Sequence, residues 1–383
     1  MLTYLHIPLI AAISFGGAPG PAADFAPARR ALEDAIAEKA FPGCSVAVGN
    51  HEGVLWKEGL GKLDYEDGPG VTTRTLYDLA SLTKVVGTTT VVLWLVSEGR
   101  MTLEAPIATY VPELIGGGKD RNRITVTHLL THSAGLPAWE PLSETRKGYA
   151  QVLAGVLETE LESPPGAVER YSDLGFMLLG EAASRAGGAS LAELEARLVF
   201  GPLGLRDTIR NPPESERFRI APTEVRPQGP GQSPSPTRGT VHDENAAAAG
   251  GGTGHAGLFS TAEDLAVFAL EMLRAARGES TVIPAAVAKQ FFQRRNLVPG
   301  SSRALGWDTP SGQSSAGSLL GPESFGHTGF TGTSIWIDPK RDLFIVLLSN
   351  RVHPSRANMK ISEVRRKLAD RVVLCLEGRL RRL

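Results

Sequence analysis

A serine and a lysine stand three residues apart at the start of a long apolar stretch. Ser81 and Lys84 belong to the octapeptide YDLASLTK, residues 77–84, which opens an apolar run that reaches Glu98. In a helix that begins near Ser81, the two side chains share one face. A serine hydroxyl becomes a nucleophile when a neighbouring base takes its proton, and a lysine does this only when its pKa is lowered. The pair therefore predicts nucleophilic catalysis, although the same spacing also occurs by chance at solvated helix starts.

The residues after Lys84 predict a helix that is buried almost all round. Valine, leucine or tryptophan occupies seven of the positions between 85 and 95, which leaves little polar face for solvent. An ammonium on the first turn of a buried helix is costly unless it has a partner or a function. We therefore expect Lys84 to have a specific role.

The composition is that of a soluble globular enzyme. The 383 residues, of which 42% are hydrophobic and 21% charged, suffice for one large domain or two closely packed lobes. A formal net charge of −1 argues against a protein that binds nucleic acid or anionic membranes. Cys44 and Cys375 lie in apolar surroundings, which favours buried free thiols over a bridge and excludes a cysteine-rich metal centre.

The N-terminus resembles a secretory signal. A short apolar run from Ile7 to Phe15 is followed by small residues as far as Ala23, and it is too short to span a bilayer. No Lys or Arg precedes the run. We expect residues 1–23 to be a signal peptide and the protein to be periplasmic or secreted, or cytoplasmic if this segment is not a signal. No stable membrane span is expected elsewhere.

Strand patterns lie near both ends of the chain, and helical patterns lie between them. Hairpins are predicted from residues 44–48 and 54–56 and from residues 333–337 and 343–348. Helices are predicted over residues 28–39, 81–98, 124–132, 151–160, 174–186, 191–199 and 361–376 and from residue 261, with an irregular loop over residues 211–240. This order predicts an α+β fold in which both chain ends build one antiparallel sheet flanked by helices. We expect one domain over residues 24–383, with an α/β lobe of about 24–80 and 255–383 and a mostly helical lobe of about 81–254.

Three short motifs far apart in the chain carry a family resemblance. They are Ser81-x-x-Lys84, Tyr171-Ser172-Asp173 and His327-Thr328-Gly329, supported by residues 127–136 and 254–260. In this order and at these separations, they resemble the motifs of the penicillin-recognising serine hydrolases: class C β-lactamases, low-molecular-weight DD-peptidases and family VIII carboxylesterases. The resemblance covers residues 28–376 and implies a β-lactamase/transpeptidase-like fold.

The resemblance also implies a mechanism through an acyl-serine intermediate. Ser81 would attack an acyl carbonyl, and Lys84 and Tyr171 would move the protons. Which of these two is the base remains open. The backbone N–H groups of Ser81 and of Phe330, expected on the strand after Gly329, would form the oxyanion hole. The resemblance implies no metal and no organic cofactor.

Two substrate-facing positions depart from the family pattern. His327 stands where β-lactamases and DD-peptidases usually carry lysine, and a histidine is mostly neutral above about pH 6.5. Asp173 stands where β-lactamases usually carry asparagine, so it removes a donor and adds a negative charge, or serves as counter-ion to Lys84. Thr328 and Gly329 complete the predicted substrate-binding edge. We therefore expect small neutral esters, amides or D-amino-acyl peptides to be better substrates than β-lactams.

The motifs leave three alternatives open. The enzyme would be a β-lactamase or a peptidoglycan DD-carboxypeptidase, or the chain would be a catalytically silent penicillin-binding-like sensor or scaffold. A metal at His242, Asp243, Glu244 and His255 is a weaker interpretation, because the H-E-x-x-H spacing is absent. The oligomeric state and the physiological substrate are not determined by these patterns.

Overall fold

The computed structural model describes residues 23–66, 68–115, 118, 120–227, 232–312 and 314–380. All but the last residue of the predicted signal peptide, residues 1–23, lies outside these ranges. The helices described there are α1 (Ala26–Ala37), α2 (Thr90–Ser97), α3 (Val126–Leu130), α4 (Leu142–Thr145), α5 (Tyr149–Glu158), α6 (Asp173–Gly187), α7 (Leu191–Glu195), α8 (Gly201–Leu203), α9 (Glu244–Ala248), α10 (Ala262–Arg277), α11 (Ala285–Phe292) and α12 (Ile361–Leu376). The strands are β1 (Gly43–Asn50), β2 (Gly53–Gly61), β3 (Tyr77–Asp78), β4 (Ile209–Arg210), β5 (Val225–Arg226), β6 (Ser235–Pro236), β7 (Leu258–Ser260), β8 (Phe325–Thr328), β9 (Ser334–Asp338) and β10 (Leu343–Ser349).

The main sheet joins the two ends of the chain. Its five strands follow the order β2-β1-β10-β9-β8, and every neighbouring pair is antiparallel. Strand β1 pairs with β10 along its length, so that Cys44 lies opposite Ser349 and Gly49 opposite Phe344. This arrangement confirms the predicted α+β fold with an antiparallel sheet built from both chain ends.

Helices cover both faces of the sheet. Successive residues of a strand point to opposite sides, so neighbouring residues pack in different clusters. Val46 and Val48 pack with helices α1 and α12 in one hydrophobic cluster, whereas Ala47 packs with α10 in the larger core. Strands β1 and β10 therefore consist almost entirely of buried residues. Cys44 and Cys375 are buried free thiols on the α1/α12 side.

The helix predicted after Ser81 is irregular. It begins as a 3₁₀ turn, Ala80–Leu82, continues as a wholly buried π-helical segment, Lys84–Thr89, and becomes regular only in α2. π-helical segments are rare in proteins, and those that occur often lie at functional sites. By length and apolar composition the span Ala80–Ser97 would suffice to cross a membrane, but 78% of it is buried inside the protein, as in a core helix.

Three other sequence expectations need correction. The helix predicted over residues 191–199 is divided into α7, a π-helical segment (Ala196–Phe200) and α8. The loop predicted over residues 211–240 contains a 3₁₀ helix, Glu214–Arg219, and the small β5–β6 ribbon. Helix α11 was not predicted, since it is short and is stabilised by the burial of Ala288, Phe291 and Phe292 in the core.

Candidate active site

Ser81 lies in a constrained turn at the start of the buried helical segment. The preceding residue, Ala80, has a φ of 47°, a left-handed conformation that costs energy for a residue with a side chain. The Asp78 carboxylate holds this turn, because its Oδ1 accepts the Ala80 N–H at 2.8 Å. The turn leaves Ser81 partly exposed while Lys84 is completely buried.

Lys84 uses its ammonium group in three hydrogen bonds. It donates to Ser81 Oγ at 3.0 Å, to Asp173 Oδ1 at 2.6 Å and to the His255 carbonyl oxygen at 3.2 Å. Burial opposes the charge, but Asp173 and Tyr171 together outweigh it and raise the pKa of Lys84 above its ordinary value. Lys84 is therefore a cation that donates to the serine oxygen.

The start of α6 places Tyr171 and Asp173 beside Lys84. Ser172 caps this helix, since its Oγ accepts the Gly175 N–H at 3.1 Å. The Lys84 Nζ lies 4.8 Å from the centre of the Tyr171 ring, and Asp173 takes the counter-ion position that the sequence left as an alternative. The structure thus brings Ser81, Lys84 and Tyr171 into one site, although their catalytic roles remain predictions.

His327 is a neutral, buried side chain whose ring centre lies 6.0 Å from that of Tyr171. Its Nδ1 lies 2.8 Å from the Thr328 carbonyl oxygen, so this nitrogen carries the proton. Burial, Lys84 and Arg303 lower the pKa of His327 well below its ordinary value. His327 consequently supplies no positive charge to the site at neutral pH.

Phe330 lies in a turn, which corrects the expectation that it belongs to a strand. Strand β8 ends at Thr328, and the Gly329 N–H donates to the Thr333 carbonyl oxygen at 2.8 Å, which closes a turn. The hydroxyl of Thr331 donates to the Asp78 carbonyl oxygen at 2.7 Å and ties this turn to the segment before Ser81. The proposed oxyanion partners, the N–H groups of residues 81 and 330, therefore sit on two connected turns.

A second carboxylate lies close to the Lys84 site. Asp243 Oδ1 is 2.8 Å from His255 Nε2, and ligand atoms of Asp173, Asp243 and His255 all lie within 4.8 Å of one another. Burial opposes the Asp243 charge, but His255, the Ala246 N–H and Lys84 together outweigh it and lower the pKa of Asp243. Lys84 donates to Asp173, so the cluster consists of two adjacent hydrogen-bonded pairs, Lys84 with Asp173 and Asp243 with His255.

The metal site that the sequence offered as an alternative does not assemble. The His242 ring faces Glu224, with Nε2 3.2 Å from its carboxylate, and Glu244 binds Arg226 at 2.9 Å. These two side chains are therefore turned toward other partners, away from the pair formed by Asp243 and His255.

A cleft of about 380 Å³ lies beside Tyr171 and His327. Its lining contains the expected Tyr171, His327 and Thr328 together with residues that sequence reasoning missed: Arg303, Asp308, Ser315, Trp336, Ser362 and Arg365. Arg303 stacks over the Tyr171 ring at 5.4 Å and pairs with Glu169 at 2.9 Å. No local pattern marks these arginines, because they reach the cleft only through the packing of distant elements.

The fold and site define a serine hydrolase of the penicillin-recognising class. The chain matches the Beta-lactamase family over residues 28–369 and belongs to that family. It is 32% identical over 346 residues to an Escherichia coli (strain K12) protein named "Putative D-alanyl-D-alanine carboxypeptidase", with coverage of 82% of this chain and 79% of that protein.

Solved structures show the same fold at low sequence identity. EstCE1, described as a hydrolase with promiscuous acyltransferase activity, superposes with a TM-score of 0.70 at 21% identity and covers 90% of this chain and 97% of its own. A class C β-lactamase from Rhodobacter sphaeroides gives a TM-score of 0.68 at 23% identity, with 90% and 99% covered. The predicted family and fold are confirmed, and the chain is a serine hydrolase.

Proposed function

We propose that the protein hydrolyses small esters and peptides that end in a D-amino acid through an acyl intermediate on Ser81. The observation that carries this proposal is the 3.0 Å hydrogen bond from Lys84 Nζ to Ser81 Oγ, in a site that also contains Tyr171. A serine held in this way converts one difficult acyl transfer into two easier steps once a base takes its proton.

Tyr171 is the better candidate for the base. Lys84 has a raised pKa and already donates to three oxygens, so it has no lone pair with which to accept the serine proton. The Lys84 ammonium and the Arg303 guanidinium lie 4.8 and 5.4 Å from the centre of the Tyr171 ring, so the phenol belongs to the same group of side chains as the nucleophile. We infer that Lys84 orients Ser81 while Tyr171 accepts the proton.

The proposed cycle balances its protons through Tyr171. Ser81 Oγ attacks the carbonyl carbon as Tyr171 takes the hydroxyl proton, and the N–H groups of residues 81 and 330 stabilise the oxyanion. Tyr171 then protonates the leaving amine or alcohol. Water attacks the acyl-serine in the second half, with Tyr171 accepting its proton and Ser81 recovering one.

The relatives support this range of substrates. The Escherichia coli relative is named for a D-alanyl-D-alanine carboxypeptidase, and EstCE1 is described as a hydrolase. We propose weak or absent β-lactam turnover, because a neutral His327 and an anionic Asp173 replace the residues usual in β-lactamases.

The test combines active-site labelling with a substrate panel. Incubation with a fluorophosphonate followed by mass spectrometry should give an adduct on Ser81, and short p-nitrophenyl esters and a D-Ala-terminated peptide should be hydrolysed faster than a chromogenic cephalosporin. Ser81→Ala should abolish both labelling and turnover. The control is Ser97→Ala, at the other end of the same helical segment. An unlabelled Ser81 with no turnover would favour the silent sensor, and faster cephalosporin turnover would favour a β-lactamase.

We also propose that residues 1–23 direct export to the periplasm or the medium. The support is the short apolar run followed by small residues. N-terminal sequencing of the protein recovered from fractionated cells should show cleavage near residue 23. An uncleaved protein confined to the cytoplasm would contradict this proposal.

A further inference from the structure

His132 contacts the segment around Tyr171 through its backbone, its imidazole nitrogen and the face of its ring. Its carbonyl oxygen accepts the Arg170 N–H at 2.7 Å, and its Nδ1 accepts the Ser172 N–H at 3.1 Å. The centre of the His132 ring also lies 4.3 Å from that of the Tyr171 ring. One residue therefore binds the chain on both sides of Tyr171 and packs against the phenol ring as well.

The turn after α3 presents His132 to this segment. The His132 N–H donates to the Leu129 carbonyl oxygen at 3.2 Å, and the residue has a left-handed φ of 54°. This conformation costs free energy for a residue with a side chain, and histidine is among the few residue types that adopt it more readily. The buried imidazole also packs against Phe176 of α6, with 5.1 Å between the ring centres. The position of the imidazole is thus fixed both by its own turn and by α6.

Backbone contacts alone do not account for the imidazole. The carbonyl oxygens of residues 132, 133, 135 and 138 accept the N–H groups of residues 170, 166, 162 and 173, respectively. These hydrogen bonds guide the segment that leads to α6, and none of them requires a particular side chain. The hydrogen bond to Nδ1 of His132 does require one, and it is made by the residue next to Tyr171.

The imidazole of His132 is neutral and leaves one donor unused. Because Nδ1 accepts a hydrogen bond, the proton is on Nε2, which is buried without a hydrogen-bond partner among the described residues. Burial lowers the pKa of His132 well below its ordinary value, and the charges of Arg303 and Lys84 add to this effect. A buried donor without a partner costs free energy, so a phenylalanine would be more stable here if packing were the only role.

We propose that His132 is a positioning residue, which holds Tyr171 in the orientation needed for proton transfer at Ser81. This inference rests on the proposed function, in which Tyr171 is the base, and deepens it. A base must lie within hydrogen-bond reach of the proton it takes, and a displacement of about 1 Å can lower the rate by about a hundredfold. In the described part of the chain, the cleft is lined by Tyr171 but not by His132. His132 therefore acts on kcat through Tyr171, and substrate binding does not depend on it.

The experiment is a double-mutant cycle between His132 and Tyr171, in which the full chain hydrolyses a short p-nitrophenyl ester and Ser81→Ala gives the background rate. His132→Phe keeps a ring but removes the Nδ1 acceptor, so kcat should fall at least about tenfold while KM stays nearly constant. His132→Asn keeps an acceptor at the δ position and tolerates the left-handed turn, so it should recover part of this loss. In Tyr171→Phe, which lacks the base, His132→Phe should cause no further loss.

The matched control is His128→Phe. The Nδ1 of His128 also accepts a backbone N–H, that of Thr125 at 3.1 Å. This hydrogen bond belongs to the cap of α3 and involves no residue of the segment around Tyr171. The control should therefore leave kcat unchanged.

The outcomes separate positioning from a structural role. If His132→Phe lowers kcat by the same factor with and without the Tyr171 hydroxyl, His132 does not act through Tyr171 and the proposal is overturned. An unchanged kcat in His132→Phe, or a loss confined to KM, also overturns it. If thermal unfolding shows that His132→Phe does not fold, His132→Asn is measured in the same two backgrounds, and its loss should be confined to the protein that retains Tyr171.

Fluorophosphonate labelling of the wild type tests the proposed function separately. An unlabelled Ser81 would contradict the acyl-serine function itself. A labelled Ser81 together with independent effects of His132 and Tyr171 would contradict only the positioning role.

Discussion

At the scale of single residues, the charge on Lys84 is the feature that governs the site. A completely buried ammonium persists because Asp173 lies 2.6 Å away and because two further oxygens accept its protons. The replacement of the usual asparagine by Asp173 therefore does more than alter substrate contacts. It fixes the protonation state of the residue beside the nucleophile.

The first prediction concerns this ion pair. Asp173→Asn keeps an oxygen for Lys84 but removes the negative charge that raises the pKa of Lys84, so this pKa should fall. If the charged lysine is required, the alkaline limb of kcat/KM moves to lower pH, which a pH–rate profile with an ester measures. Asp308→Asn removes a carboxylate of the same cleft and should leave the limb in place. An unmoved limb in Asp173→Asn would contradict this role.

The second prediction concerns Asp78, a buried carboxylate that accepts the N–H groups of Ala80 and His242. Burial raises its pKa to about 6, above the roughly 3.9 of an unfolded chain. Between about pH 4 and pH 6 the native state therefore binds more protons, and this group's contribution to the free energy of unfolding decreases as pH rises. The side-chain amide in the Asp78→Asn variant has no titratable proton in this pH range.

The measurement is urea unfolding of both proteins at pH 4.5 and pH 7. Asp78→Asn loses an acceptor at either pH, but its deficit relative to the wild type should be smaller at pH 7, by on the order of 2 kcal/mol. An equal deficit at the two pH values would show that Asp78 does not change its protonation on folding.

At the scale of elements, a buried ion pair fixes the π-helical segment that carries Lys84. Arg210 on β4 binds the carboxylate of Glu195 on α7 through two nitrogens, at 2.7 and 2.8 Å, and both side chains are buried. A Cβ atom at Gly87 would lie 2.2 Å from Glu195 Oε1. The glycine thus permits a close approach between the π-helical segment and the pinned carboxylate.

The third prediction follows from that contact. Glu195→Ala leaves the Arg210 charge buried and unpaired, so it should lower the free energy of unfolding by about 3–5 kcal/mol. Urea denaturation measures the loss. The exposed pair of Glu214 and Arg217 provides the control, since Glu214→Ala should cost at most about 1 kcal/mol. Comparable losses in the two variants would mean that the buried pair is not a significant constraint.

At the scale of the whole molecule, segments near both ends of the chain build the main sheet and one of its hydrophobic clusters. Strand β1 pairs with β10, and helices α1 and α12 pack together on the same face of the sheet. Residues separated by about 300 positions therefore share one hydrophobic cluster, and the cleft receives Arg365 from the last helix.

The fourth prediction tests this closure. Truncation after Lys360 removes α12 and exposes the apolar side of β1 and β10, so the protein should lose cooperative unfolding and become insoluble. Truncation after Leu380 keeps α12 and should preserve the thermal transition. Calorimetry or circular dichroism measures both. A soluble, cooperatively folded protein without α12 would contradict the role assigned to the C-terminal helix.

Features that depend on local interactions were predicted from the sequence, and features that depend on contacts between distant segments were not. Helix α12 was predicted with the observed limits, Ile361–Leu376, and both hairpins were found, because hydrophobic periodicity is a local property. The π-helical form of Lys84–Thr89 and the turn at Phe330 were missed. They depend on contacts with Glu195 and Asp78, which come from other parts of the chain.

The sequence by itself singled out the serine, the lysine and the tyrosine that the fold brings together, because short motifs identify them. It also predicted the family and the α+β fold. Only the tertiary structure decided the charge of the site. Asp173 became the partner of Lys84, His327 became neutral, and Arg303 and Arg365 reached the cleft from distant elements. The physical reason is that burial and the distance between charges, which fix protonation and pairing, exist only after distant segments have packed together.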